Sequence, residues 1–202
     1  MTAQAGSTTP TSDAVRRQLR REMRTRRRAL ADDVRAHADR AIHAHLLSLP
    51  ELKRAQHIAV FLAFDGEPSL APLIEAARRH RKRLYVPVLR GLTMTFAELE
   101  PSAALAANFF GILEPKVGRK IDARKLDLVL TPLVAFDDRG VRVGVGRGYY
   151  DRCFRFLRHR SHWRRPKLLG VAYELQRVPV LTPSAWDVPL WGVVTEAGVR
   201  RF

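Results

Sequence analysis

The sequence is short of cysteine, of acidic residues and of long hydrophobic runs. Its one cysteine, Cys153, excludes an internal disulfide and any zinc site built from several cysteines, as is usual in a reducing compartment. No uninterrupted apolar run approaches the roughly 20 residues that a membrane-spanning helix needs. Residues 1–11 lack the apolar stretch of a secretory signal. We therefore expect a cytoplasmic protein with no membrane partner.

The shortage of acidic residues leaves a strongly basic chain. Lysine and arginine number 36 against 20 aspartates and glutamates, which gives a formal net charge of +16. Such an excess favours an anionic partner, either nucleic acid or a small polyanion such as a nucleotide or a polyglutamylated cofactor. Composition alone does not choose between these two classes.

A chain of 202 residues supports one well-formed core. We expect a disordered polar N-terminus over residues 1–11 and a single α/β domain over residues 12–202. Capping residues and apolar spacing predict helices over Ala14–Leu30, from Asp32 to Pro50, from Ser69 to about Arg81, and from Gly148 to about His159. Apolar runs predict strands at His57–Phe64, Arg83–Leu89, Thr93–Leu99, Leu126–Phe136, Leu168–Tyr173 and Leu190–Thr195, with loops at Gly111–Lys125 and Arg160–Lys167.

This order of elements predicts the architecture. Two helices come first, and strands then alternate with helices, which is typical of a sheet whose two faces are both covered. We therefore expect a three-layer α/β fold, with a mostly parallel sheet between two layers of helices. Ligands of such sheets bind beyond the carboxyl ends of the strands.

The strongest local signal is the segment Arg142–Asp151, at the predicted start of a helix. Its three glycines at alternate positions would let backbone N–H groups approach an anion, and the helix dipole would favour negative charge there. Arg142 and Arg147 could add charge-assisted bonds to phosphate, and Asp151 could hold a magnesium ion. The segment follows neither the Walker pattern nor the dinucleotide fingerprint. A glycine-rich turn without a ligand is the alternative.

Four other residues have both a functional and a plain interpretation. Arg16 and Arg20 lie one helical turn apart and could reach a bound phosphate, although a solvated helix face or an arginine-rich transit peptide has the same composition. Glu67 follows the first predicted strand, and its carboxylate suits a ligand rich in N–H donors; an exposed turn glutamate is equally compatible. Asp187 could be a second magnesium carboxylate or a turn residue.

The remaining candidates are interpreted as structural. Cys153 has no recognisable catalytic partner and is expected in the core. The seven histidines show no spacing typical of metal ligands, and His37 and His45 are expected on a solvated helix face. The tryptophans are expected in the core or at its rim: Trp163, Trp186 and Trp191.

Six segments, taken in order, resemble the 5-formyltetrahydrofolate cyclo-ligase family, also called methenyltetrahydrofolate synthetase. They are Arg16–Arg20, Gly66–Pro68, Gly111–Pro115, the run from Thr131 to Asp151, Ala172–Gln176, and Asp187 with Thr195-Glu196. The resemblance implies that ATP phosphorylates the formyl oxygen of 5-formyltetrahydrofolate and that N10 attacks the activated carbon. The products are 5,10-methenyltetrahydrofolate, ADP and phosphate. No protein nucleophile is needed, which agrees with a site of arginines, glycines and carboxylates.

The resemblance also implies the roles of individual residues. The ATP-binding positions are Arg16, Arg17, Gln18, Leu19, Arg20, Arg142, Val143, Gly144, Val145, Gly146, Arg147, Gly148, Tyr149 and Tyr150. The substrate-binding positions are Leu62, Glu67, Val145, Gly146, Arg147, Gly148 and Tyr149. The magnesium ligands are Asp151 and Asp187, and the residues expected to take part in catalysis are Arg142, Arg147 and Glu67.

The expected partners are therefore magnesium, ATP and a folate, possibly polyglutamylated, bound to a monomer. The main alternative is a basic nucleic-acid-binding α/β protein, which would explain the net charge but not the glycine segment. A second alternative is another α/β enzyme, such as a sugar-phosphate isomerase, that binds phosphate without hydrolysing ATP.

Overall fold

A computed structural model describes residues 12–159 and 165–202. The predicted disordered terminus at residues 1–11 lies outside the described residues, as do Trp163 and most of the predicted loop Arg160–Lys167. None of the helices in the described part is long and apolar enough to cross a membrane.

The strands are short and come mainly in the second half of the chain. They are β1 (His57–Ala59), β2 (Arg83–Arg90), β3 (Thr93–Glu98), β4 (Leu105–Ala107), β5 (Leu113–Pro115), β6 (Lys120–Ile121), β7 (Leu128–Pro132), β8 (Ala135–Phe136), β9 (Arg142–Val143), β10 (Lys167–Val171), β11 (Gly192–Thr195) and β12 (Gly198–Arg201). The helices are α1 (Ser12–Arg28), α2 (Asp32–Ser48), α3 (Pro50–Arg54), α4 (Ala71–Arg79) and α5 (Tyr149–Phe154). Short 3-10 helices cover Ala123–Lys125, Arg155–His159 and Glu174–Gln176.

One eight-stranded sheet, in the order β12-β11-β10-β7-β1-β2-β3-β6, runs through the described residues. Its five central strands, from β11 to β2, are parallel. The outer strands β12, β3 and β6 are antiparallel to their neighbours. Strands β4 and β5 form a separate hairpin, and β8 pairs with β9. The sheet is therefore mixed at its edges and parallel at its centre.

Alternate residues of each central strand enter two different cores, as the pleat of a strand requires. Ile58 and Leu130 face α2, α3 and α4 and pack in the same cluster as Ile42. Val129 faces the other way and packs in the same cluster as Phe154 of α5. Helices thus cover both faces, and the predicted three-layer α/β fold is confirmed.

Two predicted strands are shorter than expected. The run His57–Phe64 is a strand only over β1, and the run Leu126–Phe136 divides into β7 and β8, which belong to different sheets. After β7 the carbonyl of Leu133 accepts bonds from the side chains of Arg27 and Gln176 rather than from a neighbouring strand. A buried apolar run has the same composition whether it forms one long strand or a short strand followed by buried irregular chain. The length of the run therefore did not show where the strand ends.

Several small elements were not predicted. The stretch Gly111–Lys125, expected to be a loop, contains β5, β6 and a 3-10 helix, and β4, β9 and β12 were missed as well. The helix expected from Gly148 to about His159 is α5 followed by a 3-10 helix. Strands of two to four residues carry too little periodic signal for detection, because a single alternation is compatible with many turns.

A buried arginine joins α1 to the sheet. Arg27 has only 1% of its surface exposed. Its Nε and Nη2 donate to the carbonyl of Asp65 at 3.1 and 2.8 Å, and its Nη1 donates to the carbonyl of Leu133 at 3.2 Å. The Asp65 carboxylate also accepts from Arg24 at 2.6 Å and from Arg28. The arginines of α1 are therefore partly structural, and the solvated face expected for this helix is incomplete.

We predict that Arg27→Met destabilises the protein by about 3–5 kcal/mol, because the Asp65 carboxylate and two carbonyls lose a buried partner. Urea unfolding measures the change. Arg26→Met is the matched control, since Arg26 is one residue away, mostly exposed and only 3.7 Å from Glu22, and a change within about 0.5 kcal/mol is expected. Equal effects of the two substitutions would show that the Arg27 contacts do not anchor the helix.

Candidate functional site

A cavity of about 830 Å³ lies beyond the carboxyl ends of β1, β2 and β7, where an open parallel sheet places its ligands. Its lining comes from the ends of these strands, from α1, from α5, from the hairpin β4–β5 and from the segment that precedes α5. The apolar part of the lining includes Phe61, Leu62, Val86, Pro87 and Pro132. A concave surface thus lies at the edge of the sheet where the sequence analysis expects ligands to bind.

The glycine segment forms one wall of this cavity. Gly146 and Gly148 have φ angles of +101° and +62°, which residues with a side chain rarely adopt. The Arg20 Nε donates to the carbonyl of Gly144 at 2.9 Å. A Cβ on Gly146 would lie 3.2 Å from the Arg20 guanidinium carbon. The segment thus exposes backbone to the cavity and lies directly against an arginine of α1.

Both predicted magnesium carboxylates line the cavity, and an arginine holds each of them. The Asp151 Oδ1 accepts from Arg142 at 2.7 Å and from the Val188 N–H at 3.1 Å. The Asp187 Oδ2 accepts from Arg16 at 2.9 Å and from the Ser184 N–H at 2.8 Å. These bonds fix the carboxylates without covering them, since side-chain exposures are 21% for Asp151 and 13% for Asp187.

The donor set can be tested against a magnesium ion. No group of three or more histidine, cysteine, aspartate or glutamate side chains in residues 12–159 and 165–202 is arranged to hold a metal. Magnesium, however, is usually bound by one or two carboxylates together with phosphate oxygens and water. Asp151 and Asp187 fit that arrangement, in which phosphate and water would supply the remaining ligands.

Glu67 is partly buried in the same cavity. Its Oε2 accepts from the Phe64 N–H at 3.2 Å. Burial raises the pKa of Glu67 to about 7, although the positive charge of Arg27 opposes the rise. Burial also raises the pKa of Tyr150, and the negative charge of Glu67 adds to that effect. The simple interpretation of Glu67 as a solvated turn residue is therefore not supported.

Most of the sequence-predicted site residues share this one cavity. Three are elsewhere: Gln18 is exposed on α1, whereas Leu19 and Val143 pack around Met23 in a small apolar cluster. Arg142 lines the cavity, but its guanidinium is buried and bonded to Asp151 and to the carbonyl of Val188. Arg142 therefore shapes the wall, whereas Arg147 presents an exposed guanidinium.

Sequence reasoning missed a second group of cavity residues. Arg24, three arginines after the glycine segment and the tip of the hairpin β4–β5 all reach the cavity. The motif Gly111–Pro115 was noticed only through the family resemblance. In it Glu114 is buried and accepts from the Leu89 N–H at 2.9 Å and from Asn108 at 2.7 Å. A buried glutamate that joins the hairpin to β2 has no local sequence signal.

The residues interpreted as structural behave as such. Cys153, a residue of α5, is half-buried against the core, and burial raises the pKa of its thiol to about 11. Trp191 lies between Lys167 and Arg201, at 4.2 and 5.3 Å from its ring centre. Trp186 is at the rim of the cavity and is 64% exposed.

The fold and the cavity define a class of protein. An α/β sheet whose carboxyl edge carries a glycine segment, a set of arginines and two positioned carboxylates has the groups that a phosphate-bearing ligand needs. Sequence comparison then supplies the family. Residues 12–196 match the profile described as the 5-formyltetrahydrofolate cyclo-ligase family. The chain belongs to this family of ligases, and the resemblance noted from the sequence is confirmed.

Individual relatives agree with this assignment. The 5-formyltetrahydrofolate cyclo-ligases of Haemophilus influenzae and Escherichia coli K12 are each 36% identical, over 89% of this chain and 96% and 100% of theirs. The NMR structure of 5,10-methenyltetrahydrofolate synthetase from Aquifex aeolicus superposes with a TM-score of 0.80 at 32% identity, covering 93% of this chain and 92% of that one. A synthetase from Mycoplasma pneumoniae, 23% identical with a TM-score of 0.72, shares the fold over 90% of this chain and 98% of its own.

The raised pKa of Glu67 gives a pH prediction. Because the folded protein holds the proton more tightly than the unfolded chain, stability from this group is present below about pH 4.5 and is lost as the pH rises through about 7. Glu67→Gln removes this loss. At pH 8 it should be more stable than the wild type by up to about 3 kcal/mol, and the gain should shrink towards pH 5.

Thermal or urea unfolding of both proteins between pH 5 and 8 measures this difference. Glu100→Gln, at an exposed glutamate outside the cavity, is the matched control and should show no such trend. A difference between wild type and Glu67→Gln that does not vary with pH would contradict the raised pKa.

Proposed function

We propose that this protein catalyses the ATP- and magnesium-dependent ring closure of 5-formyltetrahydrofolate to 5,10-methenyltetrahydrofolate, with release of ADP and phosphate. The observation that carries the proposal is that one cavity contains both the glycine segment with several arginines and, on the same walls, the partly buried carboxylate of Glu67. Relatives with the cyclo-ligase name at 36% identity support it.

The nucleotide is proposed to lie between α1 and the glycine segment. Arg16, Arg17 and Arg20 enter the cavity from α1, and Arg147 enters it from the facing segment. Together they offer positive charge and N–H donors to the phosphates from two sides. Gln18, Leu19 and Val143 belong to the same proposed segments by resemblance, but their side chains do not line this space.

Asp151 and Asp187 are the proposed holders of a magnesium ion. When bound, the ion would neutralise charge on the phosphates. The protein's own contribution is to fix the two carboxylates, through Arg142 and Arg16, at the cavity wall.

The folate is proposed to contact Leu62, Glu67 and the shared part of the glycine segment, residues 145–149. Leu62 and the strand ends supply an apolar surface for a flat ring. As a carboxylate, Glu67 accepts hydrogen bonds from N–H groups of the pterin. The bond from the Phe64 N–H and the burial of the side chain keep this acceptor in one orientation.

The chemistry then needs only alignment and charge neutralisation. The formyl oxygen attacks the γ-phosphorus of ATP and ADP leaves; N10 attacks the resulting activated carbon, and phosphate leaves as the ring closes. No covalent intermediate with the protein forms. Holding both ligands in one cavity makes the attack effectively unimolecular, and arginines facing the phosphates stabilise the charge that develops.

The nucleic-acid alternative loses its main support. Of the arginines on α1, those at positions 16, 20, 24, 27 and 28 all bond to other parts of the protein. A surface that reads a phosphodiester backbone needs its arginines on an open face, whereas Arg16, Arg20 and Arg24 line the cavity. We propose instead a monomeric cytoplasmic enzyme with a small-molecule substrate.

The direct test is to mix the protein with 5-formyltetrahydrofolate and magnesium ATP and to follow the near-ultraviolet absorbance of the methenyl product. We expect product only when nucleotide, divalent metal and folate are all present, and none with excess chelator. Turnover that persists in the chelator would sink the metal assignment, and absence of product under all conditions would sink the proposed function.

Arg147→Ala should weaken nucleotide binding and lower kcat/KM roughly ten- to a hundredfold, because one charge-assisted bond to phosphate is lost. Arg147 is exposed and stacks on the Phe110 ring at 5.2 Å, and its side chain makes no hydrogen bond or ion pair within residues 12–159 and 165–202, so the variant should keep its fold. Arg119→Ala, at an exposed arginine outside the cavity, is the control. Full activity of Arg147→Ala would remove this residue from the site.

For Arg142→Ala we expect a change in stability as well as in activity. Because its guanidinium is buried against Asp151 and Val188, Arg142→Ala should lower stability as well as activity. Loss of activity in that variant is therefore interpreted only alongside its unfolding curve.

A further inference from the structure

A row of arginines continues from the glycine segment. Arg152, Arg155 and Arg158 are spaced by three residues, are all exposed and all line the cavity. Arg155 and Arg158 belong to a 3-10 helix, in which side chains three residues apart are eclipsed and separated by about 6 Å along the axis. The side chains of Arg155 and Arg158 therefore leave the same side of this 3-10 helix, one turn apart.

This row has no anionic partner within residues 12–159 and 165–202. Arg155 and Arg158 make no side-chain hydrogen bond or ion pair in this part of the chain. Arg152 donates only to the carbonyl of Leu92, at 3.0 Å, and stacks on Tyr149 at 5.2 Å. Like charges one helical turn apart repel each other. An anion that bridged them would remove this repulsion.

The row is separate from the arginines of the phosphate site. Arg16 and Arg20 are held by Asp187 and by the glycine segment. The Arg152 end of the row lies instead at the turn between β2 and β3, because Tyr149 donates to the Gly91 carbonyl at 2.8 Å and Arg152 donates to the Leu92 carbonyl. The cavity therefore carries a second cationic surface in addition to the one assigned to the triphosphate.

We propose that this row, and Arg155 with Arg158 in particular, binds the carboxylates of the glutamate tail of the folate. The proposal rests on the proposed function, since it is the folate that brings the tail. A folate ends in a glutamate with two carboxylates, and each further γ-linked glutamate adds another. Carboxylates match guanidinium groups in shape as well as in charge, and a line of guanidiniums suits a chain of them. Tyr149, already proposed as a folate contact, lies directly beside the row.

The experiment compares three substrates: 5-formyltetrahydropteroate, which has no glutamate, and its derivatives with one and with three glutamates. For the wild type we expect KM to fall at each step, by about two- to fivefold for each exposed ion pair gained. In Arg155→Ala/Arg158→Ala the three KM values should converge. The wild-type differences should also shrink at high salt, because exposed pairs are screened.

The matched control is Arg54→Ala/Arg79→Ala. It removes the same charge from α3 and α4, at exposed positions outside the cavity, and should keep the wild-type series of KM values. A loss of the series in both double variants would mean that net charge alone attracts the tail, which would overturn the proposal.

Three other outcomes would also overturn it. The first is an unchanged series in Arg155→Ala/Arg158→Ala. The second is a rise in the KM for ATP with the folate series intact, which would assign the row to the nucleotide. The third is salt-sensitive binding of duplex DNA that the same variant abolishes. If the wild type turns over none of the substrates, the proposed function fails. Titration calorimetry then tests the row separately: the affinity for the three folates should rise with the number of glutamates in the wild type and should not in Arg155→Ala/Arg158→Ala.

Discussion

The buried contact between Arg27 and the chain at Asp65 determines where the site can form. It connects α1 to the two strand ends that border the cavity, through the carbonyls of Asp65 and Leu133. A buried guanidinium is costly unless all its donors are used, so once formed this contact allows little freedom. Arg16 and Arg20 stand on the same helix, and Glu67 lies two residues after Asp65. Both proposed ligand surfaces are therefore positioned by one interaction.

The charged residues of the cavity explain part of the high positive charge of the chain. Nine arginines and six acidic residues line the cavity in the described part of the chain. Some of these arginines act as structural donors, as Arg24 does towards Asp65 and Arg142 towards Asp151. Others, such as Arg17 and Arg155, make no such contact within residues 12–159 and 165–202. Nine arginines less six acidic residues leave the cavity with three positive charges in excess, out of the +16 of the whole chain, and this local excess favours the attraction of small polyanions.

Sequence reasoning predicted the central strands and the glycine segment, and it missed the elements whose position depends on contacts between distant residues. Long apolar runs gave the central strands, and the alternate glycines gave the position of the phosphate wall, because these signals depend on neighbours in the chain. The division of Leu126–Phe136 into β7 and β8 depends on side chains from Arg27 and Gln176, which are distant in sequence. The hairpin β4–β5 depends likewise on Glu114. Such long-range polar contacts leave no periodic trace, so no local pattern could have predicted them.

The two positioned carboxylates show how a site can be preorganised before its ligands arrive. In the protein Asp187 is bonded to Arg16 and Asp151 to Arg142, so each carboxylate already has a compensating charge. Under the proposed function, magnesium and phosphate are added to these pairs as a cation and an anion. Asp151 and Asp187 would offer carboxylate oxygens to the metal, and their paired arginines compensate the charge of each carboxylate while no ligand is bound. The large cost of an unpaired charge in a closed cavity is thereby avoided. The binding energy of the nucleotide then remains available for alignment of the two reactants.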